Sequence, residues 1–237
     1  MTEQGEQTIT RIEFFGDSII RGALWSDGKF RLRPGKDFPE LAAMGFEVRN
    51  NGIIGSTIRK GAKVLERRLA SLDEHTLVIM DFGGNDCDFD WKAVSAAPKD
   101  AHLPKVLLQE FASRYAKLIA RVQATGAKVA LCSLVPLDAD KFFSFISKGN
   151  DPDRIMEWLG DKSILYRWHE NYDRAVERLA AATGSALIDL RDGFLTRHDF
   201  SGLIGPDGIH PTEAGYRIID EIIAGEVEEL TAAPAMA

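Results

Sequence analysis

The chain has 237 residues, of which 45% are hydrophobic and 27% charged, a composition that is ordinary for a globular protein. Its length suits one large α/β domain or at most two small domains. The formal net charge of −7 argues against a surface that binds nucleic acid or an anionic membrane, so we expect neither partner.

The N-terminal segment and the two cysteines bear on location. Residues 1–10 (MTEQGEQTIT) contain no apolar stretch of the kind that a signal peptide requires. No apolar run approaches the length needed to cross a bilayer, so we expect no stable membrane association. Cys87 and Cys132 are far apart in the sequence and need not pair. The sequence therefore predicts a cytoplasmic protein with reduced thiols.

Strand-like and helix-like segments alternate along the chain. Apolar runs rich in β-branched and aromatic residues predict strands at 11–15, 46–49, 76–82, 128–135 and 186–190. Apolar residues at helical spacing predict helices from Leu107 to Val122, from Leu165 to Leu179, and from about Thr212 towards the C-terminus.

This alternation predicts an α/β fold with a doubly wound parallel sheet that is covered by helices on both faces. In such folds the functional groups lie beyond the carboxyl ends of the strands. No linker-like tract divides the chain and no internal repeat is present. We therefore expect a single domain over residues 9–230, with flexible termini at 1–8 and 231–237.

Four short segments combine glycines with polar residues at a predicted strand end or just before the last helix. They are GDSIIRG (16–22), NNGIIGSTI (50–58), FGGND (82–86) and GPDGIHPTEAGY (205–216). Each segment alone is explained by turn formation, because Gly, Asn, Asp and Ser are common turn residues. Taken together, the four segments fit one chemistry.

A reaction that uses a serine nucleophile accounts for the polar residues of all four segments. The Ser18 hydroxyl needs a base to take its proton, and His210 suits that task near neutral pH. Asp207, three residues before His210, can accept a hydrogen bond from the other ring nitrogen. The oxyanion formed on attack needs fixed donors. The backbone N–H groups of Ser18 and Gly55 and the side-chain amide of Asn85 can supply three.

In content and order, the four segments resemble the four sequence blocks of the SGNH hydrolases, also called GDSL esterases and lipases. The blocks span residues 16–210, which is most of the chain. The resemblance implies a three-layer α/β/α, flavodoxin-like fold with a five-stranded parallel sheet. It also implies that Ser18 is the nucleophile, that His210 is the base and that Asp207 is its acidic partner. Gly55 and Asn85 would be the oxyanion donors.

The sequence departs from the family pattern at one position, and it lacks the signatures of several other enzyme classes. Ser56 stands where the family often has an acidic residue, which affects none of the roles above. The sequence has no G-x-S-x-G elbow, and His169-Glu170 lacks the second histidine of a zinc-protease helix. A phosphate-binding glycine loop and a C-x-x-C pair are also missing. We therefore expect no cofactor and no metal ion.

Two long connections, 87–104 and 136–162, follow strand ends on the predicted catalytic face. The second is rich in large apolar residues, which are Phe142, Phe143, Phe145, Ile146 and Trp158. This composition predicts either a wall or lid around an acyl or sugar pocket, or a subunit contact of a homo-oligomer through 136–162. Arg21 and Trp91 are candidate substrate contacts because they lie close in sequence to the catalytic blocks.

The remaining polar residues of interest are assigned to structural roles. Asp17 and Asp86 are expected to bond the local backbone. The other histidines are expected to have surface or structural roles, and they are His75, His102, His169 and His198.

The sequence thus predicts a serine esterase that hydrolyses a small-molecule carboxylic ester through an acyl-enzyme. A short acyl group, such as acetyl on a carbohydrate, is favoured over a long-chain lipid because nothing in this acidic chain would hold it at a bilayer. A lysophospholipase or thioesterase acting on longer acyl chains is an alternative. A non-catalytic ligand-binding member of the fold is another, although the presence of both Ser18 and His210 argues against it.

Overall fold

In the computed structural model, residues 8–26 and 28–232 are described. Seven strands lie in this part of the chain, and they are β1 (Arg11–Gly16), β2 (Ala23–Ser26), β3 (Lys29–Leu32), β4 (Glu47–Asn50), β5 (Thr76–Asp81), β6 (Lys128–Cys132) and β7 (Ala186–Ile188). Five of them form one parallel sheet in the order β4-β1-β5-β6-β7. The two others, β2 and β3, form an antiparallel hairpin.

Ten α-helices lie in the same part of the chain. They are α1 (Ser18–Arg21), α2 (Pro39–Ala43), α3 (Ile58–Glu66), α4 (Trp91–Ala96), α5 (Leu108–Gln123), α6 (Ala139–Ile146), α7 (Pro152–Leu159), α8 (Ser163–Thr183), α9 (Leu190–Leu195) and α10 (Glu213–Thr231). Two short 3₁₀ turns span Leu69–Ser71 and Phe200–Leu203.

Side chains alternate between the two faces of the sheet, as β5 illustrates. Val78 and Met80 belong to the apolar core on one face, which α3, α5 and α8 cover. Leu77 and Ile79 belong to the core on the other face, which α2, α9 and α10 cover. This alternation follows from the two-residue repeat of a strand. The predicted three-layer α/β/α fold with a five-stranded parallel sheet is confirmed.

The boundaries of the predicted strands agree with the observed ones to within three residues. The largest difference is at β6, where the prediction ran to residue 135 but the strand ends at Cys132. Beyond it, Ser133 donates its backbone N–H to Ile188, so the chain leaves the sheet gradually.

Two features of the fold were not predicted. The hairpin β2–β3 lies in the chain between the short helix that begins at Ser18 and the helix at Pro39–Ala43. The two long connections contain helices, since α4 lies in 87–104 and α6 and α7 lie in 136–162. Side chains from these helices, from the loop before α4 and from the start of α8 form a third apolar cluster, which includes Phe89, Trp91, Val94, Phe142, Phe143, Ile146, Ile155, Leu159 and Leu165.

This third cluster bears on the predicted homo-oligomer. Phe142, Phe143 and Ile146 are each less than a tenth exposed, so most of the large apolar side chains of α6 face the interior of the chain itself. A subunit contact through 136–162 stays a prediction.

The sequence also led to predictions about the chain termini, the two cysteines and membrane-spanning helices. The predicted flexible termini fall largely on residues 1–7 and 233–237, outside the described residues. Cys87 and Cys132 are both buried and unpaired. A search of residues 8–26 and 28–232 finds no helix whose length and apolar character would allow it to cross a membrane.

Candidate active site

The end of β1 presents a serine at the start of a helix. Asp17 caps α1, because its Oδ1 accepts the backbone N–H of Ile19 at 2.8 Å. Ser18 is the first residue of that helix and is 6% exposed. Since a helix leaves its first N–H groups without intrahelical partners, the N–H of Ser18 is available to a ligand.

The loop before α10 brings a histidine and a carboxylate to this serine. His210 Nε2 lies 2.8 Å from Ser18 Oγ, and His210 Nδ1 lies 2.6 Å from Asp207 Oδ2. The other carboxylate oxygen of Asp207 accepts the backbone N–H groups of Ile209 and His210, both at 3.1 Å. Ser18 is thereby joined to two residues that are distant from it in sequence, His210 and Asp207, in one chain of hydrogen bonds.

The environment of Asp207 favours its anionic form. Burial alone would raise the pKa of this carboxyl, which is fully shielded from solvent. The hydrogen bond with His210, the charge of that imidazole and the backbone N–H groups of Ile209 and His210 instead hold the pKa of Asp207 below its usual range. Asp207 is therefore a permanent acceptor for His210 at neutral pH.

Gly208 allows this loop to pass close to α6. Its φ of +78° lies in the left-handed region, and a β-carbon there would stand 2.2 Å from the backbone nitrogen of Phe142. The carbonyl of Gly208 also accepts the N–H of Asp138, at the start of α6, at 2.9 Å. A glycine between Asp207 and Ile209 is thus required by the packing of α6.

Asn85 follows β5 and lies beside the serine. Its Nδ2 donates to Asp17 Oδ2 at 2.7 Å, so the aspartate that caps α1 also orients this amide. An amide nitrogen carries two hydrogens, and the second is free to point at a ligand. Asn85 is therefore held as a donor beside the Ser18 hydroxyl.

Gly55 lies in a loop that runs along the end of β1. Ile53 donates its N–H to Gly16 at 3.1 Å, and Gly55 follows two residues later with a φ of +68°. Gly55 is exposed, and no residue in the described part of the chain accepts a hydrogen bond from its N–H. The structure brings this loop to the same strand end as Ser18.

A cavity of about 100 Å³ opens beside the serine. Its polar lining residues include Asp17, Ser18, Asn85 and His210. Both long segments contribute apolar side chains to the rest of its wall, and these are Phe89, Trp91, Leu137 and Phe142. The segments therefore form a pocket wall, which was one of the two interpretations of their composition.

The two candidate substrate contacts lie in different places. Trp91 lines the cavity, and its Nε1 donates to Asp88 at 2.8 Å. Arg21 does not line the cavity and borders a separate depression together with Gly52 and Ile54. The structure thus brings Trp91, but not Arg21, to the wall of the pocket.

A comparison with known proteins identifies the family. The model of the GDSL-like lipase/acylhydrolase family matches residues 14–218. The chain belongs to this family. As a GDSL hydrolase it acts on carboxylic esters, in agreement with the sequence prediction.

Individual relatives of this GDSL hydrolase are distant. The GDSL esterase/lipase CPRD49 of Arabidopsis thaliana is 24% identical over 222 residues, which cover 92% of this chain and 77% of the relative. A lipase/acylhydrolase from Enterococcus faecalis superposes with a TM-score of 0.67 at 20% identity, covering 97% of this chain and all of the other. An acetyl xylan esterase from Geobacillus stearothermophilus gives 0.61 at 20% identity, covering 93% and 96%. These two structures share the fold.

Several residues at the GDSL hydrolase site were not predicted. The ring of Phe30, on the β2–β3 hairpin, meets the His210 ring edge-on at 4.9 Å. Asp27-Gly28 between the two strands is a turn signal typical of such hairpins, and it could have revealed this element. Asp81, Trp168 and His169 also line the cavity.

Of the two roles expected for His169, surface or structural, the structure removes the first, and the second stays a prediction. His169 is 6% exposed and lines the same cavity as Ser18, so it is not a surface residue. It follows the buried Leu165 by four residues on α8, a spacing that places both on one face of the helix. That spacing was available in the sequence.

The expectations for the two aspartates had different outcomes. Asp17 bonds the local backbone at Ile19, as predicted. Asp86 bonds backbone that is far away in sequence, because its Oδ1 accepts the N–H of Ile58 at the start of α3 at 2.9 Å. Burial raises the pKa of Asp86 to about 7, against the opposing effect of that hydrogen bond.

Burial also raises the pKa of Asp17, and the hydrogen bond from Ile19, the charge of His210 and the hydrogen bond from Asn85 oppose the shift. In the part of the chain that the structure describes, no three His, Cys, Asp or Glu side chains are arranged to hold a metal ion.

Proposed function

We propose that this GDSL hydrolase is a serine esterase in which Ser18, His210 and Asp207 form a catalytic triad. The observation that carries the proposal is the continuous chain of contacts from Ser18 Oγ to His210 Nε2 at 2.8 Å and from His210 Nδ1 to Asp207 at 2.6 Å. This arrangement has the geometry that activates a serine hydroxyl in acyl transfer.

The first half of the reaction forms an acyl-enzyme. Ser18 Oγ attacks the ester carbonyl while its proton passes to His210 Nε2, and Asp207 stabilises the imidazolium. The N–H groups of Ser18 and Gly55 and the free amide hydrogen of Asn85 stabilise the oxyanion. His210 then gives its proton to the alcohol oxygen, the carbon–oxygen bond to the alcohol breaks, and the acyl group remains on Ser18.

The second half releases the acid. A water molecule attacks the acyl carbonyl and gives a proton to His210, and the same donors stabilise the second oxyanion. His210 returns the proton to Ser18 Oγ as the bond between the serine and the acyl carbon breaks. The free carboxylic acid leaves and the enzyme regains its first state.

The size of the cavity supports a short acyl group. Its volume of about 100 Å³ is less than the roughly 150 Å³ of an apolar protein cavity that holds one benzene molecule. An acetyl group or another acyl group of a few carbons fits this space beside Ser18. The acetyl xylan esterase with the same fold supports an acetyl ester on a carbohydrate as one such substrate.

The proposal is tested by the hydrolysis of 4-nitrophenyl acetate. Ser18→Ala should lower kcat by roughly 10⁴-fold or more while circular dichroism shows an unchanged fold. Ser144→Ala, which removes an exposed hydroxyl that bonds only the carbonyl of Asp140 on its own helix, is the matched control and should keep the original rate. A Ser18→Ala variant as active as the Ser144→Ala variant would refute the proposal.

A further inference from the structure

Polar side chains on the cavity wall lack partners in the described part of the chain. Trp168 Nε1 and His169 Nδ1 are both buried there without a hydrogen-bond partner. The carboxyl of Asp81, at the end of β5, lies on the same wall. Asp81 is 4% and His169 6% exposed, and all three residues line the cavity next to Ser18.

Each of these groups is a neutral hydrogen-bonding group. Burial, with the nearby charge of Arg191, lowers the pKa of His169 to about 3, so its imidazole has one donor and one acceptor nitrogen. Burial and the charges of Asp17 and Asp173 raise the pKa of Asp81 well above its usual value, which favours the protonated carboxyl. Trp168 Nε1–H only donates.

Buried polar groups in folded proteins nearly always have partners. Two unsatisfied nitrogens on the wall of one small cavity, Trp168 Nε1 and His169 Nδ1, therefore indicate an occupant with polar atoms. Apolar side chains and the proposed nucleophile Ser18 line the same cavity, so the occupant that enters during turnover is the substrate.

We propose that this cavity receives a short acyl group that carries a hydroxyl, which accepts a hydrogen bond from Trp168 Nε1 and donates one to His169 or Asp81. The inference rests on the proposed function, because it assigns the acyl side of the ester to this cavity. It narrows the substrate class from short acyl esters to short hydroxyacyl esters.

The charge and hydrogen-bonding pattern of the wall select the hydroxyl. A carboxylate on the acyl group would be repelled by the charge of Asp17, which lines the same cavity. An ammonium group has no lone pair to accept the Trp168 N–H. A hydroxyl is neutral, accepts and donates, and thus satisfies both kinds of group on the wall.

Pairs of esters of equal size test the inference. The 4-nitrophenyl esters of glycolate and propionate differ only by a hydroxyl in place of a methyl group, as do those of lactate and 2-methylpropionate. Each kcat/KM is divided by the rate of spontaneous hydrolysis at the same pH. We expect the wild-type ratio to favour the hydroxyacyl ester by about ten-fold or more in at least one pair, because a site built for a hydroxyl discriminates against its absence.

Substitution of Trp168 tests whether its indole N–H causes the preference for hydroxyacyl esters. Trp168→Phe removes the indole N–H but keeps an aromatic ring, and it should reduce the ratio towards one. Trp158→Phe is the matched control, because Trp158 packs against Phe89 and Trp91 but does not line the cavity, and it should keep the wild-type ratio.

The outcomes separate this inference from the proposed function. Ser18-dependent hydrolysis with wild-type ratios near one in both pairs would overturn the inference but leave the esterase function intact. It would mean that only water forms hydrogen bonds with the polar groups on the cavity wall. A high ratio that Trp168→Phe does not change would overturn the assignment of Trp168. Absence of hydrolysis of every ester would contradict the proposed function itself.

Discussion

His210 is held on three sides. Its two ring nitrogens contact Ser18 and Asp207, and its ring edge packs against Phe30. With this orientation fixed, the imidazole can move a proton between the serine and the leaving alcohol without changing its position. We therefore expect the loss of His210, the proposed base, to lower the rate of hydrolysis more than the loss of Asp207, its acidic partner.

The first prediction concerns this pair. His210→Ala should reduce kcat/KM about as far as Ser18→Ala, whereas Asp207→Asn should stay roughly 10²-fold more active because the imidazole remains. The measurement is kcat/KM for the three variants. An Asp207→Asn variant with wild-type activity would mean that another acceptor orients His210.

The second prediction concerns Asn85, whose amide is oriented by Asp17. Asn85→Ala should lower kcat by roughly 10²–10³ with a smaller change in KM, because the amide stabilises charge that exists only in the transition state. Asn171→Ala, an exposed residue of α8, is the control. If KM rises instead while kcat stays constant, Asn85 binds the ground state and is not an oxyanion donor.

At the scale of elements, the contact between α6 and the Asp207–His210 loop depends on a missing side chain. Gly208→Ala places a methyl group against the backbone of Phe142 and strains a left-handed residue. We expect unfolding in urea to show a loss of about 2 kcal/mol or more, together with a lower kcat as His210 shifts.

The control for the Gly208→Ala substitution lies on α10, the helix that follows the Asp207–His210 loop in the chain. Gly225, on α10, has open space around the position of a β-carbon, so Gly225→Ala should raise the free energy of unfolding by about 0.5–1 kcal/mol. Equal effects of the two substitutions would contradict the packing role assigned to Gly208.

The elements differed in how readily the sequence predicted them. The five sheet strands and the helices α5, α8 and α10 have long apolar repeats, which are local properties of the sequence. Helices α4, α6 and α7 have only six to eight residues each, too short for a clear repeat. Their signals were the caps, such as Asp138 before α6 and Asp151 before α7.

The candidate site shows the same division. Ser18, Asn85, Asp207 and His210 were predicted because each lies in a short segment with a recognisable pattern. A pocket wall from the segments 87–104 and 136–162 was one of the predicted interpretations, but the contribution of α8 was not predicted. The position of His169 on the wall depends on how α8 packs against the third apolar cluster. Such packing is tertiary information that no local repeat contains.

At the scale of the whole molecule, Asp86 links stability to pH. Its pKa of about 7 in the folded state lies above the usual 3.8, so the folded protein retains a proton that the unfolded chain releases. The stabilising effect of this proton is complete below about pH 4 and is lost as the pH rises through 7.

Asp86→Asn tests this linkage, because the amide oxygen can still accept the Ile58 N–H while no charge forms. The variant should gain stability relative to wild type as the pH rises from 4 to 7, by about 1.4 kcal/mol for each unit of the pKa shift. The exposed Asp140→Asn is the control and should show a constant difference. Urea unfolding across pH that gives a constant difference for Asp86→Asn as well would contradict a buried, protonated Asp86.

The central claim is that Ser18 is the nucleophile that His210 activates. Intact-protein mass spectrometry after treatment with a fluorophosphonate measures it most directly, with peptide mapping to locate the adduct. We predict one adduct, on Ser18, that is absent from Ser18→Ala and forms far more slowly on His210→Ala. A folded protein that stays unlabelled, or an adduct on another residue, would contradict the claim.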